Sequence, residues 1–268
     1  MEKIEVEAYQ LLKRIKGEKP LVHHLTNWVT IYDCANIVKA LGASPVMAHA
    51  KEEVAQMASI ASALVLNIGT LTVDFVEAMK MAARAANRKI IPVILDICGA
   101  GATKLRNDKC FELLEEVKIN VIKGNASEIA KIAGEDVITK GVESTKIKKD
   151  LVKIAEKLSR QHNCTVVITG KEDVIAGRHK TYVVKNGHEL MGRVVGTGCM
   201  AASAIGTFCA VEKDLAYAAT CGLVCFEIAA EFAAANARGP VSFKDMLLDE
   251  LFSLEEENID KMQKVELC

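Results

Sequence analysis

Ile91-Pro92-Val93-Ile94-Leu95-Asp96 runs straight into Ile97-Cys98-Gly99-Ala100-Gly101-Ala102-Thr103. An apolar, largely β-branched run closed by a carboxylate and then by glycines reads as a buried strand whose carboxyl end meets a loop. The same pattern recurs along the chain. Leu64 to Asn67 ends in Gly69-Thr70, Asn120 to Lys123 ends in Gly124, and Thr165 to Thr169 ends in Gly170. Shorter candidates lie at Leu21 to Leu25, running into Thr26-Asn27, and at Ser44 to Ala48 after Gly42.

Helical segments alternate with these strands. Ile4, Ala8, Leu11, Leu12 and Ile15 repeat at helical spacing, and Thr72 caps a long helix through about Ala86. Asn125-Ala126-Ser127-Glu128 has the pattern of a capping box, and Lys146 to Gln161 is charged and amphipathic. Val174 to Gly177 and Thr181 to Lys185 read as two antiparallel strands, with Asn186-Gly187 as a turn signal. From Gly196 the chain is nearly all helical to about Met262. Strands alternating with helices predict an α/β fold: a mostly parallel central sheet covered on both faces, with an antiparallel edge. Without a linker, repeat or low-complexity tract, residues 1–268 are expected to form one domain.

Composition agrees with that architecture. Half of the 268 residues are apolar but only 4% are aromatic, which favours Ala-rich helices on parallel strands over a β-sandwich. A net charge of -1 gives no electrostatic support to a nucleic-acid or acidic-membrane partner. The nine cysteines are odd in number, widely spaced and lack any CxxC, which argues against a disulfide framework or a zinc ribbon. Cys221 and Cys225 share a helix face, but two ligands do not make a metal site. No apolar run reads as a membrane span, and the polar N-terminus does not read as a signal peptide, so a cytoplasmic protein is expected.

Three segments carry candidate chemistry. The first is Val195-Gly196-Thr197-Gly198-Cys199-Met200-Ala201-Ala202, which opens a helix of small residues. Unpaired N–H groups over Gly196, Thr197 and Gly198 would form an anion hole for a phosphoryl group, unless the glycines serve only tight packing. Cys199 in the first turn would have a depressed pKa and act as base or nucleophile; the alternative is an inert buried thiol. The second is Asp96, a strand-end carboxylate suited to Mg²⁺ through water, followed by a glycine-rich loop that is neither a Walker A motif nor a dinucleotide fingerprint. The third is Lys123-Gly124-Asn125-Ala126-Ser127-Glu128, where Lys123 can neutralise phosphate and Glu128 can reach a metal, or merely cap its helix. Together these form a phosphoryl-transfer kit. His23 and His24 precede Thr26-Asn27, but an ordinary structural role is the better reading of both.

The order of Thr26-Asn27, Gly42 to Ala48, Asn67-Ile68-Gly69-Thr70-Leu71, Leu95-Asp96, Gly99 to Thr103, Gly124 to Glu128, Thr169-Gly170 and Gly196-Thr197-Gly198-Cys199 resembles the hydroxyethylthiazole kinase family from about residue 20 to 250. Cys199 is the discriminating position, because related ribokinase-like kinases carry Asp there. The resemblance implies a ribokinase-like three-layer αβα sandwich that phosphorylates 4-methyl-5-(2-hydroxyethyl)thiazole with ATP and Mg²⁺. It implies that Met47, Gly196 and Asn27 meet the thiazole, that Lys123 and Thr169 contact ATP, and that Asp96 and Glu128 stand near Mg²⁺. It further implies that Cys199 is the base and that the protein is a homotrimer with sites at subunit interfaces. The runner-up is a kinase of a pyridoxal or hydroxymethylpyrimidine alcohol. The sequence departs from the family at Ile97-Cys98, where Pro-Val is usual, at Gly239-Pro240-Val241, and at Lys123, where Arg is common; a point charge there replaces a bidentate fork.

Overall fold

The computed structural model describes residues 2–135 and 144–268. The chain runs β1 (Glu2–Ile4), α1 (Ala8–Glu18), β2 (Leu21–Leu25), α2 (Ile31–Ala40), β3 (Ser44–Val46), α3 (Val54–Ile60), β4 (Ala63–Asn67) and α4 (Val73–Lys89). It continues through β5 (Val93–Asp96), α5 (Lys104–Glu116), β6 (Val121–Asn125), α6 (Ala126–Ile132), α7 (Ser144–His162), β7 (Thr165–Thr169), β8 (Asp173–Ala176) and β9 (Thr181–Val184). A short 3-10 turn at Glu189–Arg193 precedes α8 (Thr197–Cys209), α9 (Leu215–Asn236), α10 (Pro240–Phe252), α11 (Glu256–Met262) and β10 (Val265–Leu267).

Among the described residues the strands join one sheet in the order β1-β10-β9-β8-β7-β6-β5-β4-β2-β3. The part from β3 to β7 is parallel, and the part from β8 to β1 is antiparallel. The strand period of two splits each parallel strand between two cores. Val65, Ile94, Val121 and Val167 pack with α8 and α9 on one face. Leu64, Leu66, Leu95, Ile122, Val166 and Ile168 pack with α3 to α7 on the other. The result is the expected αβα sandwich. Close approach of α8 to the sheet depends on Gly206, where an added Cβ would lie 2.4 Å from Val65 Cγ2.

The structure corrects several details. Ile4 belongs to a strand rather than to the first helix, and β10 follows Met262. Both end strands are three residues of mixed polarity, too short for periodicity to reveal, and they pair with each other. The β8–β9 turn is closed by Gly177 N donating to Lys180 O at 2.9 Å, and Asn186-Gly187 leads out of β9. In α9, length and hydropathy do suffice to cross a membrane, contrary to expectation, but 78% of the apolar window is buried against the rest of the protein.

Candidate active site

The strand register assembles the site. Asn67 pairs with Asp96, and Asp96 with Lys123, across β4, β5 and β6; Asn125 pairs with Thr169 across β6 and β7. Asn67, Asp96, Lys123 and Thr169 each stand two residues beyond a core residue of the α8 face, so all four lie on that face at the carboxyl ends of their strands.

Above them α8 begins. Its first intrahelical bond is from Met200 N to Gly196 O at 2.8 Å, so the N–H groups of Thr197, Gly198 and Cys199 precede the ladder and carry the positive end of the helix dipole. Gly196 has φ +93, and a Cβ there would sit 2.3 Å from Thr30 Cγ2, so both conformation and space require glycine. A Cβ on Gly198 would lie 3.1 Å from Lys123 Nζ, which places the ammonium directly under the helix start.

A buried polar network connects these parts. Asn27 Nδ2 donates to Asn67 Oδ1 at 3.0 Å and to Cys199 Sγ at 3.2 Å. Asn67 Nδ2 donates to Asp96 Oδ2 at 2.9 Å and to Cys199 Sγ at 3.3 Å. Lys123 Nζ meets Asp96 Oδ2 at 3.4 Å. The Cys98 thiol and the Thr30 side chain, together with the charge of Lys123, outweigh burial and hold Cys199 down at about 5. Burial pushes the Asp96 carboxyl up to about 7 against the pull of Lys123. For Lys123 burial works downward, but the charges of Asp96 and Cys199 prevail and keep it a cation.

Asp96 Oδ1 is buried and has no partner among the described residues. A hard carboxylate oxygen left open suits a Mg²⁺ ion that brings its own waters. Glu128 approaches from α6, where it completes the capping box with Asn125. Its Oε2 accepts from Asn125 N and its Oε1 from Gly99 N, both at 2.7 Å, so it fixes the loop after β5 while each oxygen keeps a lone pair. The capping reading of Glu128 is therefore observed, and it does not exhaust the carboxylate. Among the described residues no group of three or more His, Cys, Asp or Glu side chains forms a metal cage.

Thr169, Thr197 and Gly198 line a cavity of about 760 Å³ beside this network, a volume suited to a nucleotide-sized ligand. Met47 stands apart from the polar centre. It lies on the loop after β3, where His23 Nε2 meets Ala48 O at 2.7 Å and the His49 ring meets Trp28 edge-on at 4.7 Å, next to Asn27. His24 is structural: its Nε2 meets Ser203 Oγ at 3.0 Å, and burial lowers its pKa to about 4. The sequence marks Asn67 only as a strand end within the family motif and Cys98 only as a departure from the family, and gives no signal for Thr30 or Arg106. Arg106 donates to Ile68 O and Gly69 O, both at 2.8 Å, tying together the loops after β4 and β5. No sequence motif marks a helical arginine that binds carbonyls.

This geometry has relatives. The sequence model of the hydroxyethylthiazole kinase family matches residues 12–257. The chain is similar to hydroxyethylthiazole kinase from Methanosarcina mazei, at 57% identity over 95% of this chain and 98% of that protein. It is similar in structure to a hydroxyethylthiazole kinase protein from Pyrococcus horikoshii, with a TM-score of 0.90, 41% identity and coverage of 97% and 98%. A ribokinase-like superfamily protein from Enterococcus faecalis, with a TM-score of 0.65, 14% identity and coverage of 94% and 98%, shares the fold alone. The chain belongs to the hydroxyethylthiazole kinase family.

Proposed function

We propose that this protein transfers the γ-phosphoryl group of ATP to the hydroxyl of 4-methyl-5-(2-hydroxyethyl)thiazole, a step of thiamine salvage. One observation carries the reading: a thiolate-stabilising network of Asn27, Asn67 and Cys199 meets an anion-binding helix start and a buried lysine beside a nucleotide-sized cavity. Such a transfer needs positioning and charge neutralisation more than covalent chemistry.

In this reading the acceptor lies between Met47, Asn27 and Gly196, and ATP occupies the cavity lined by Thr169. The N–H groups of Thr197, Gly198 and Cys199 and the Lys123 ammonium hold the phosphoryl oxygens. As the alcohol oxygen bonds to the γ-phosphorus, its proton passes to Cys199 Sγ, and the bond to the β–γ bridging oxygen breaks to release ADP. Asn27 and Asn67 orient the sulfur throughout. Asp96 and Glu128 would hold Mg²⁺, largely through water, and the ion would neutralise phosphate charge.

The same reading places the protein in the cytoplasm as a single-domain homotrimer. Apolar side chains left exposed beside the site support the assembly: Trp28, Val29, Tyr32, Val195 and Val241. Gly196 packs on Thr30, and Lys244 of α10 pairs with Asp33 of α2 at 3.1 Å, so these side chains border one region next to Cys199.

With Mg²⁺ and ATP the purified protein should yield thiazole phosphate by mass spectrometry, lose turnover in EDTA, and sediment as a trimer. Absence of thiazole phosphate, alongside clear turnover of pyridoxal or hydroxymethylpyrimidine, overturns the proposal.

A further inference from the structure

The catalytic network leaves one pair of buried acids unused. Glu227 sits midway along α9, among side chains that are otherwise apolar or small, and is 5% exposed. Asp173, at the start of β8, is 3% exposed. The two carboxyls hydrogen-bond to each other. Asp173 Oδ1 also accepts from Gly170 N at 2.9 Å. Among the described residues neither carboxyl has a cation in an ion pair. Glu227 Oε2 is buried with no hydrogen-bond partner among these residues.

Such a pair is costly. A buried carboxyl destabilises unless its oxygens are satisfied, and a leucine in the same place would be cheaper. Two facing carboxyls resolve the conflict by sharing one proton. Burial raises both, Glu227 most strongly, and the negative charge of Asp173 adds to the rise. Glu227 therefore holds the proton and donates it to Asp173, which leaves acceptor oxygens over.

Position gives those oxygens a use. Both residues line the 760 Å³ cavity together with Thr169, Thr197, Gly198 and Ala201. Gly187 lies over Glu227, its Cβ position 3.6 Å from the carboxyl carbon. Glu231, one turn further along α9, accepts from Gly187 N at 3.0 Å and from Asn186 Nδ2 at 3.1 Å, so the covering loop is fixed to the same helix. The acids are thus held rigidly in the cavity that opens at the phosphate-binding start of α8.

We propose that Asp173 and Glu227 recognise the nucleoside part of the phosphoryl donor, their free acceptor oxygens taking a hydrogen bond from a donor group that it carries. This rests on the reading that ATP occupies this cavity. Two parts of ATP offer such donors, the ribose hydroxyls and the 6-amino group of adenine. A site built around a buried acceptor rejects an analogue that lacks the matching donor.

The test compares wild type with Glu227→Gln and Asp173→Asn, using ATP, 2′-deoxy-ATP, 3′-deoxy-ATP and ITP, which has no 6-amino group. Wild type should discriminate against one analogue class by roughly tenfold or more in kcat/KM. In the variants that ratio should fall towards one, through a higher KM for ATP, with kcat and the KM for thiazole little altered. Loss of discrimination against the deoxy analogues assigns the ribose; loss against ITP assigns the base. Equilibrium binding of the same four nucleotides needs no acceptor, so it reads the proposal even if the thiazole is not phosphorylated. Wild-type binding that is equal for all four nucleotides overturns it. So do folded variants that keep every wild-type ratio while losing only thermal stability.

Discussion

Two lysines in this protein are equally buried, at 4% exposure, and differ in every other respect. Lys80 on α4 meets Glu77 at 2.7 Å, Glu112 at 2.5 Å and Glu116 at 3.3 Å. Hydrogen bonds to Glu112 and then Glu77 raise its pKa, and its charge is more than matched. Among the described residues Lys123 has one carboxylate, Asp96, at 3.4 Å, and that carboxylate has an oxygen with no partner. A cluster that serves stability satisfies its groups; one that awaits ligand leaves capacity open. Lys80 thus has the surroundings of a structural charge, and Lys123 those of the ligand-facing charge proposed above.

Exchanging the two kinds of loss tests that separation. Asp96→Asn should lower kcat by about 10²-fold or more, some 2.7 kcal/mol of transition-state stabilisation, and should also cost stability, because it leaves the buried Lys123 ammonium without its carboxylate. Lys80→Met should touch stability alone. It should cost roughly 1–2 kcal/mol in urea denaturation, moderated because its glutamate partners are partly solvated, with kcat/KM within about twofold of wild type. The contrast fails if Asp96→Asn keeps wild-type turnover or if Lys80→Met slows it.

How much of this could be read in the sequence follows from the same distinction. The parallel strands β4 to β7 were legible because each is an apolar run closed by a polar residue and a nearby glycine, as at Leu95-Asp96 and Ile168-Thr169-Gly170. The capping box at Asn125 and Glu128 was legible because its spacing is local. Side-chain pairings across the sheet were not. Asn27 and Cys199 are 172 residues apart, and nothing in either segment announces an amide aimed at a sulfur. Glu227 was invisible for a different reason: in sequence it is one of two acids in an otherwise apolar helix, and only α9 packing over β8 brings it to Asp173. The short end strands Glu2–Ile4 and Val265–Leu267 escaped because three residues cannot display a period.

Cys199 gives the next largest expected effect. An unperturbed thiol, at about 8.5, would leave kcat/KM climbing with pH through the neutral range. Held at about 5, the sulfur is already a thiolate at neutral pH, so this group should contribute a level profile from about pH 6 to 9 and a fall only towards pH 5. Cys199→Ala should lower kcat about tenfold or more without abolishing turnover, because positioning and the helix start remain. Cys199→Asp should retain or raise kcat, since a carboxylate stays ionised and accepts the same proton. Equal pH–rate profiles for wild type and Cys199→Ala would remove proton abstraction by this residue from the mechanism.

The smallest and sharpest effect concerns Cys98, half-buried two residues beyond Asp96. The valine usual in the family at this position cannot donate a hydrogen bond. Here the Cys98 thiol donates to Cys199 and is the largest single influence lowering its pKa. Asn27, Asn67, Thr30 and Lys123 would still face the sulfur in Cys98→Val. The thiolate should therefore survive in weakened form. One hydrogen bond to a charged group is worth about 1.5–3 kcal/mol, so the Cys199 pKa should rise by roughly one unit or two. Iodoacetamide labelling located at Cys199 by mass spectrometry reads this directly, as a pH midpoint that moves upward in the variant. Activity should follow with the same sign: little change at pH 8, where both proteins hold the thiolate, and a growing deficit for Cys98→Val as pH falls towards 6. A midpoint that stays put would assign the thiolate to the two asparagines, Thr30 and Lys123 alone, and would leave Cys98 a packing substitution for valine.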